Sequence, residues 1–388
     1  MKNNNTKTKI NSLYLGIFIL AISEAIIAYV QSSYLNQFYD LTLIGYIFII
    51  TYVFTFVIIN EYPNLIAKFN NQKTAITSLL IKIASLLVFI FCANPLLIFV
   101  AFITFTISFT LIFINFDIFL EAFTKNTETG KVRGIFFTMY NLGWLVSPFL
   151  AGQILENFGF SLLFVMDLIL SACVVLLLLV TFKKFQNHFV ARHFKPWHTF
   201  SEIIKRHNIK KIFYVSFILH TFYAVMLIYT PIYLNQIIGL SWGQIGLIFT
   251  IMLLPFVILQ FPAGYIADKY LGEKEILITG LLIMALVSLI IFFIQGSSIL
   301  IWALILFFSR VGASLVEIMR ETYFFKKVDV QNIELINALR STAPLSYILA
   351  PFLVSIILVF LPLNYIFLIL GLIILTALWP ALTLKDTK

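Results

Sequence analysis

Residues 245–274 read IGLIFTIMLLPFVILQFPAGYIADKYLGEK. The first part, Ile245–Tyr265, has no charged side chain. It is long enough to cross a bilayer, because about 20 apolar helical residues span a hydrocarbon core of ~30 Å. The second part brings the four charged residues of Asp268–Lys274 close together. The stretch therefore predicts a membrane-spanning helix that ends in a short, charged loop.

Apolar runs of this kind recur along the whole chain. The sequence is 61% hydrophobic and 11% charged, whereas a soluble domain carries about 25% charged residues. Because only helices satisfy every backbone group at this length in lipid, the runs predict an all-α membrane protein with twelve transmembrane helices. The predicted spans are Leu13–Leu35, Leu43–Ile59, Ala75–Cys92, Leu96–Phe119, Ile135–Ile154, Phe160–Phe182, Ile212–Leu234, Ile245–Tyr265, Ile276–Ile294, Ile299–Phe325, Leu335–Phe360 and Leu363–Leu382.

The basic residues support this number of spans and predict an orientation. The six loops on one side of the predicted membrane contain no Lys or Arg, whereas 22 of the 26 basic residues fall in the loops and tails on the other side. Cytoplasmic loops are the ones that accumulate Lys and Arg, so both termini are expected in the cytoplasm, at what we take to be a bacterial plasma membrane. The net charge of +9 is then a signal of topology, and nucleic acid is not an expected partner.

One long polar segment, 183–211, divides the chain into two expected six-helix bundles, 1–182 and 212–388. The segment is a basic linker on the cytoplasmic side, and residues 199–207 could form an amphipathic helix at the membrane interface. Neither its histidines nor the two cysteines of the chain have the spacing of metal ligands, so we expect no metal and no cofactor.

The two halves repeat one another at offsets of 199 to 203 residues. The repeated pairs are Tyr34–Gln37 with Tyr233–Gln236, Ile44–Gly45 with Ile245–Gly246, Asp117 and Glu121 with Glu317 and Glu321, and Pro148–Leu150 with Pro351–Leu353. Four matches in order indicate a duplicated six-helix unit. Repeats of this type favour alternating access, with the substrate near the membrane midplane.

The loop at the end of the opening stretch resembles the G-x-x-x-D-[R/K]-x-x-G-x-[R/K] signature of the major facilitator superfamily, and it occupies the expected loop between helices 8 and 9. In that family the signature forms a cytoplasmic latch. The first copy, Asn64–Phe69, is degenerate because Lys68 replaces the aspartate, so Lys68 or Arg133 is an alternative partner for Asp117 or Glu121. The resemblance implies a latch of Gly264, Asp268, Lys269, Gly272, Lys274, Asp117, Glu121, Arg133, Glu317 and Glu321.

Within this latch, Gly264 and Gly272 are expected to permit a close approach and a tight turn. Lys269 and Lys274 are expected to reach acids on the following helices, with Glu317 as the acidic partner in the second half.

The fifth predicted span resembles the antiporter pattern G-x8-G-x3-G-P-x2-G-G of the same family. The residues that carry it are Gly134, Gly143, Ser147, Pro148, Ala151 and Gly152, with Ser147 and Ala151 at two glycine positions. Small residues allow helices to pack closely and proline kinks a helix, and the resemblance favours efflux by proton antiport.

Ionisable residues within the spans are the candidate sites, because charge inside a bilayer is costly. Glu24 is the expected proton-coupling residue, with a buried, hydrogen-bonded structural acid as the alternative. Arg310 has three open roles: it neutralises Glu24, anchors an anionic substrate group, or stabilises the bundle. Lys82 and Asp167 are expected at different depths and not as a direct pair. The other candidates for the substrate cavity are Gln31, Asn115, Asn141, His220 and Tyr223.

The sequence thus predicts a monomeric secondary transporter that exports a small molecule against protons moving inwards. The alternatives are a proton-coupled uptake symporter for a sugar or an organic acid, and a sensor of the same fold that transports nothing. No nucleophile with a base, phosphate-binding loop or metal cluster is recognisable, so an enzyme is not expected.

Overall fold

The computed structural model describes residues 2–123, 129–182, 203–328 and 333–385, and every regular element in these ranges is helical. Residues 183–202 of the linker, with the first four residues of the predicted helix 199–207, lie outside the described residues, and residues 203–205 are helical. The side chains of Glu121 and Asp268 lie outside them as well.

The long helices follow the predicted spans. They are α1 (Lys2–Ala28), α2 (Leu41–Phe69), α3 (Asn71–Phe91), α4 (Pro95–Phe123), α5 and α6 (together Thr129–Thr181), α7 (His207–Ile228), α8 (Trp242–Ile258, continued by Gln260–Ile266), α9 (Glu273–Ile291), α10 (Ile299–Lys327), α11 (Ile333–Phe360) and α12 (Tyr365–Thr376, continued by Leu378–Leu382). Short helical turns extend three of them: Gln31–Leu35 after α1, Thr230–Ile237 after α7 and Ala267–Leu271 after α8.

Eleven continuous segments of the described residues are long and apolar enough to cross a membrane, and one of them contains two spans. Val132–Thr181 has 50 residues, which at ~1.5 Å per residue is more than twice the thickness of the hydrocarbon core. Gly159 interrupts it with a φ of +74° and a ψ of −175°, which no helix contains. The segment is therefore α5 (129–158) followed by α6 (160–181), and the spans number twelve, as the sequence predicts.

The turns before α3 and α9 have the same backbone conformation. Gly272 precedes α9 with a φ of +86°, and Asn70 precedes α3 with a φ of +76°. Asn70 has a ψ of +145°, and this combination of angles costs a residue other than glycine about 1–3 kcal/mol. The Asn70 side chain accepts a hydrogen bond from Gln72 N at 3.3 Å. The turn of the second half thus recurs in the first half without its glycine, which supports the internal repeat.

The described chain forms two compact units. The first comprises residues 1–39 and 50–193, and the second comprises residues 40–49 and 194–388. Within the second unit, Gly45 brings the start of α2 against α11, since a Cβ at Gly45 would lie 2.3 Å from Ser355 Oγ and 3.3 Å from Pro351 O.

In the first unit, α1 packs against the α5–α6 segment, and α3 packs against α4 and against that segment. A buried apolar cluster holds these helices together, with Leu13, Ile17, Leu79, Phe116, Phe136 and Leu178 among its members. Gly143 of α5 allows the closest approach to α1, because a Cβ there would lie 2.6 Å from Ala21 Cβ and 3.1 Å from Phe18 O.

In the second unit, α10 packs against α7, α8 and α9, and α7 packs against α11. Two glycines face one another where α9 meets α10. A Cβ at Gly280 would lie 2.8 Å from Gly312 O, and one at Gly312 would lie 2.6 Å from Gly280 O. This contact brings the two backbones together and determines which face α10 turns towards α7.

Candidate functional site

The first unit contains the predicted coupling residue Glu24 in a pair with a tyrosine. Tyr140 of α5 donates a hydrogen bond from its hydroxyl to Glu24 Oε2 at 2.7 Å, and both side chains are partly buried. The close contact of Gly143 with Ala21 explains the pairing, because Tyr140 lies one turn from Gly143 and Glu24 lies one turn from Ala21.

Aromatic rings surround this carboxyl–phenol pair. The Tyr140 ring lies 5.2 Å from the Phe113 ring and 6.2 Å from the Trp144 ring, and Trp144 in turn makes an edge contact with Tyr29 at 6.0 Å. A carboxyl in apolar surroundings disfavours its charged form, while aromatic faces attract cations. The arrangement can therefore exchange a proton or bind a cationic group.

The sequence identifies Glu24 but not Tyr140 as a member of this pair. Tyr140 stands within the antiporter-like pattern, three residues before Gly143, so helical spacing from Gly143 was a signal that could have found it.

The remaining small residues of the antiporter-like pattern differ in their roles. Ser147 donates a hydrogen bond to Gly143 O at 2.6 Å and lies 3.5 Å from Ile22 O of α1, so its hydroxyl still permits a close approach. Pro148 lies within α5, and Ala151 and Gly152 are buried. A Cβ added at Gly134 would meet no described atom within 4 Å, so close packing does not require a glycine there.

Asn115, a predicted cavity residue, is fully buried in a separate polar cluster between α2, α3 and α4. Its Nδ2 donates hydrogen bonds to Tyr62 Oη and to Leu111 O, and its Oδ1 accepts one from Thr74 Oγ1 at 3.1 Å. Both polar atoms of the Asn115 side chain are thus bonded to other residues of the first unit. Gln31 and Asn141 are partly buried.

A second charged group of the first unit contradicts the sequence prediction. Lys82 of α3 and Asp167 of α6 were expected not to pair, but Lys82 Nζ lies 2.7 Å from Asp167 Oδ1 and neither side chain is exposed. Ser23, the residue before Glu24, donates a hydrogen bond to Asp167 and accepts one from Lys82. Ser171 donates a further hydrogen bond to Asp167 at 3.2 Å.

The prediction failed because it used the wrong helix start and counted backbone positions only. The helix α3 begins at Asn71 rather than at Ala75, so Lys82 lies near its middle. The long lysine stem then carries the ammonium group further along the helix. An ion pair that joins α3 and α6 beside α1 is the result.

The second unit contains a cluster of ionisable residues on α7 and α10. Tyr223 of α7 donates a hydrogen bond from its hydroxyl to Glu317 Oε2 at 2.5 Å. Glu317 was predicted as the acidic partner of the latch, but the structure brings its carboxylate to Tyr223, a predicted cavity residue. Each unit thus contains a carboxyl–phenol pair among its described residues, although the repeat makes Tyr223 the counterpart of Glu24 and Glu317 the counterpart of Asp117.

The two arginines of this cluster are both buried but differ in their partners. Arg320 donates a hydrogen bond from Nη1 to Ser216 Oγ at 2.9 Å, and its Nη2 lies 3.7 Å from Glu321 Oε1. Arg310 is 3% exposed, and its Nη1 has no hydrogen-bond partner among the described residues. Its guanidinium lies 4.9 Å from the ring centre of Phe222 and 5.6 Å from that of Tyr223.

Aromatic contacts do not balance the burial of Arg310. A desolvated cation–π contact contributes about 2 kcal/mol, whereas burial of an ion costs several kcal/mol unless its hydrogen-bonding groups find partners. Arg310 interacts with the charge of Glu317, but its Nη1 still lacks a hydrogen-bond acceptor among the described residues.

His220, the other predicted cavity residue of α7, lies next to this cluster. Its Nδ1 is 2.8 Å from Ser216 O and 3.3 Å from Thr342 Oγ1, so it joins α7 to α11. Arg320 of α10 donates to Ser216 Oγ and so belongs to the same hydrogen-bond network.

The expected latch is only partly brought together. Arg133 Nη1 lies 3.4 Å from Asp117 Oδ1, which is one of the alternative pairings that the sequence left open. Gly272 occupies the expected tight turn, whereas a side chain at Gly264 would meet no described atom within 4 Å. Close approach is therefore no reason for glycine at position 264.

Lys269 of the loop has another contact than the predicted one. Lys269 donates a hydrogen bond to Tyr265 Oη at 2.5 Å and lies over its ring. The loop instead contributes an acid, because Glu273, with 1% of its side chain exposed, forms an ion pair with Lys326 at the end of α10. We expected a lysine of the loop to contact an acid of α10. The structure instead joins an acid of the loop, Glu273, to a lysine of α10, Lys326.

The comparisons with known proteins agree with this architecture. A profile of the Major Facilitator Superfamily matches residues 13–244 and 233–388, which together cover nearly the whole chain. The chain belongs to the major facilitator superfamily. It is therefore an integral membrane protein and a secondary transporter of a small molecule, in a family that is not enzymatic.

Solved structures of other membrane transporters have the same fold. The crystal structure of the nucleoside transporter NupG matches with a TM-score of 0.75 at 12% identity, over 98% of this chain and 100% of that chain. The inward-facing, unoccupied structure of a bacterial homologue of the human lysosomal transporter Spinster matches with a TM-score of 0.69 at 10% identity, over 97% of this chain and 95% of that chain. No curated protein matches the sequence. At such low identities the likeness concerns the fold alone.

Proposed function

We propose that this member of the major facilitator superfamily is a proton-coupled exporter and that Glu24 carries the coupling proton. The observation that carries the proposal is the bond between Tyr140 and Glu24, which holds an ionisable group between two membrane-embedded helices. The antiporter-like residues support it, because Gly143 and Ser147 bring α5 against the stretch of α1 that bears Glu24.

In this proposal the phenol of Tyr140 is a reversible partner of the carboxyl. It donates to the ionised carboxylate, and the bond weakens when Glu24 takes up a proton. A change of partner at Glu24 then alters the contact between α1 and α5, which is the coupling that antiport needs. The cytoplasmic location of both termini, a monomeric state and a latch through Arg133–Asp117 and Glu273–Lys326 are parts of the same proposal.

The proposal is tested by proton flux in proteoliposomes that contain a pH-sensitive dye. The protein is challenged with a panel of metabolites and lipophilic cations, and wild type is compared with Glu24→Gln. We expect a compound in the panel to trigger a pH change in wild type, and we expect this change to fall to background in Glu24→Gln, because glutamine cannot carry a proton.

The matched control is Glu156→Gln, which removes an exposed carboxyl and should leave coupled flux unchanged. The sign of the pH change relative to the substrate gradient separates export by antiport from uptake by symport. Full coupled flux in Glu24→Gln would show that the proton uses another residue. Binding of a compound without any flux would instead favour the sensor.

A further inference from the structure

We propose that the second unit contains a subsite for a carboxylate group of the transported molecule and that Arg310 is its anchor. The inference rests on the proposed function only in calling the bound molecule a substrate. The residues that it concerns lie on α7 and α10, and the proton-coupling proposal does not use them. It selects one of the three roles that the sequence leaves open for Arg310.

The hydrogen bonds of the cluster argue against a purely structural role for Arg310. An arginine that holds helices together is expected to share its N–H groups with neighbouring oxygens. Arg320 does so through Nη1 with Ser216 and through Nη2 with Glu321, and only its Nε is buried without a partner among the described residues. Arg310 instead has a fully buried Nη1 without any partner among the described residues. A planar guanidinium with free N–H groups in a dry environment is suited to a bidentate oxyanion.

The charges around Arg310 indicate how much negative charge the ligand carries. The two guanidinium groups, Arg310 and Arg320, are matched in number by two carboxyls: Glu317, which is partly buried and bound to Tyr223, and Glu321, which is half exposed and lies beside Arg320. His220 faces the backbone of α7 and Thr342 rather than the arginines' free groups. The cluster is therefore formally neutral, and a bound monoanion such as a carboxylate leaves a net charge of −1 whereas a doubly charged phosphate leaves −2, so the carboxylate is the less costly ligand in a buried site.

The geometry leaves Arg310 available to such a group. Glu317 lies seven residues further along α10, on the same face and about 10 Å away along the axis. Between them lie Ala313 and Ser314, which are small, and Glu317 is already bound to Tyr223. The rings of Phe222 and Tyr223 shield the guanidinium from one side. They provide an apolar wall for the remainder of a molecule whose carboxylate binds Arg310.

The test measures binding to the full-length protein in nanodiscs, without a proton gradient. The probes are a panel of aliphatic and aromatic monocarboxylates. Each is compared with its uncharged amide and with the monophosphate ester of the alcohol that has the same carbon skeleton. Thermal stabilisation and isothermal calorimetry are recorded for wild type, Arg310→Gln, Arg310→Lys and the control Arg340→Gln, which removes an exposed arginine of α11.

We expect at least one carboxylate to bind wild type and Arg340→Gln in preference to its amide. Arg310→Gln should lose this preference, with affinity for the carboxylate weaker by roughly tenfold or more, and Arg310→Lys should fall between because it retains the charge without the planar fork. Arg310→Lys also keeps the test valid if the glutamine variant fails to fold.

The inference is overturned if Arg310→Gln and Arg310→Lys keep the full preference for the carboxylate, if the phosphate esters are preferred, or if no carboxylate in the panel binds better than its amide. Since no proton flux is measured, failure here leaves the Glu24 experiment unaffected. Failure of the Glu24 experiment likewise does not alter the binding result.

Discussion

Lys82 and Asp167 form an ion pair in which neither side chain has exposed surface, within the part of the first unit that also bears Glu24. The pair shares Ser23 as a common hydrogen-bond partner, and Ser23 is joined to Glu24 by one peptide bond. Lys82 also lies near the rings of Phe105 and Phe109, at 5.4 and 6.0 Å. This buried pair is therefore neutral only as long as both partners are present.

We expect removal of one partner to destabilise the protein more than removal of both. Lys82→Met or Asp167→Leu alone leaves an uncompensated buried charge, which costs about 3–5 kcal/mol. The double variant replaces the pair with apolar groups and should recover most of that loss. Thermal unfolding in detergent measures the three variants beside wild type.

A double variant that is as unstable as the sum of the two single variants would show that the charges do not act as a pair. The exposed acid Glu156 provides a comparison, because its carboxylate is accessible to solvent whereas that of Asp167 is not. Coupled flux, measured in the same variants, shows whether Ser23 transmits the change to Glu24.

The helices of the second unit are positioned by small residues rather than by polar contacts alone. Where α9 meets α10, Gly280 and Gly312 have no side chains, so the backbones of the two helices are in direct contact. A Cβ at Gly312 would lie 2.6 Å from Gly280 O and 2.7 Å from Met284 N, and neither backbone atom can move independently of α9. This contact sets the rotation of α10 and with it the direction in which Arg310 and Glu317 point.

We expect Gly312→Ala to destabilise the protein although alanine favours a helix. The gain in helix propensity is about 1 kcal/mol, whereas overpacking costs about 1–3 kcal/mol and more where the contact is to backbone. Gly296→Ala, in the loop before α10, is the control for the substitution alone, since a Cβ added there would meet no described atom within 4 Å.

Thermal unfolding of the two variants in detergent measures the difference. A melting temperature of Gly312→Ala at or above that of Gly296→Ala would mean that α9 and α10 can separate without loss.

On the scale of the whole molecule, the distribution of basic residues predicts the orientation in the membrane. The loop that contains Gly296 has no Lys or Arg, whereas Lys210 precedes the seventh span in a basic segment. A long, apolar chain with this bias inserts with its basic loops in the cytoplasm.

We expect Gly296→Cys to react with a membrane-impermeant maleimide added to intact cells and Lys210→Cys to react only after the cells are opened. Both substitutions are made in a chain without Cys92 and Cys173, which are the only native cysteines. The reverse pattern of labelling would invert the predicted topology, and with it the direction assigned to transport.

The sequence by itself determined the fold class, the twelve spans and the superfamily. Each of these depends on patterns that can be read along the chain without knowing which helices are neighbours. A run of about 20 apolar residues must be a helix in lipid, whatever its neighbours are, and Gly272 in its loop marks a turn with a positive φ. The sequence also identified Glu24 and Arg310 as residues of interest, because charge within a span is costly wherever it points.

Only the tertiary structure decided which of these residues meet. Tyr140 joins Glu24, Lys82 joins Asp167, and Glu317 joins Tyr223 rather than the loop. Sequence spacing measures position along a helix, but it does not measure the rotation of that helix about its axis or the reach of a long side chain. Those are set by where neighbouring helices come closest, at Gly143 against Ala21 and at Gly312 against Gly280, and these contacts join residues far apart in the chain.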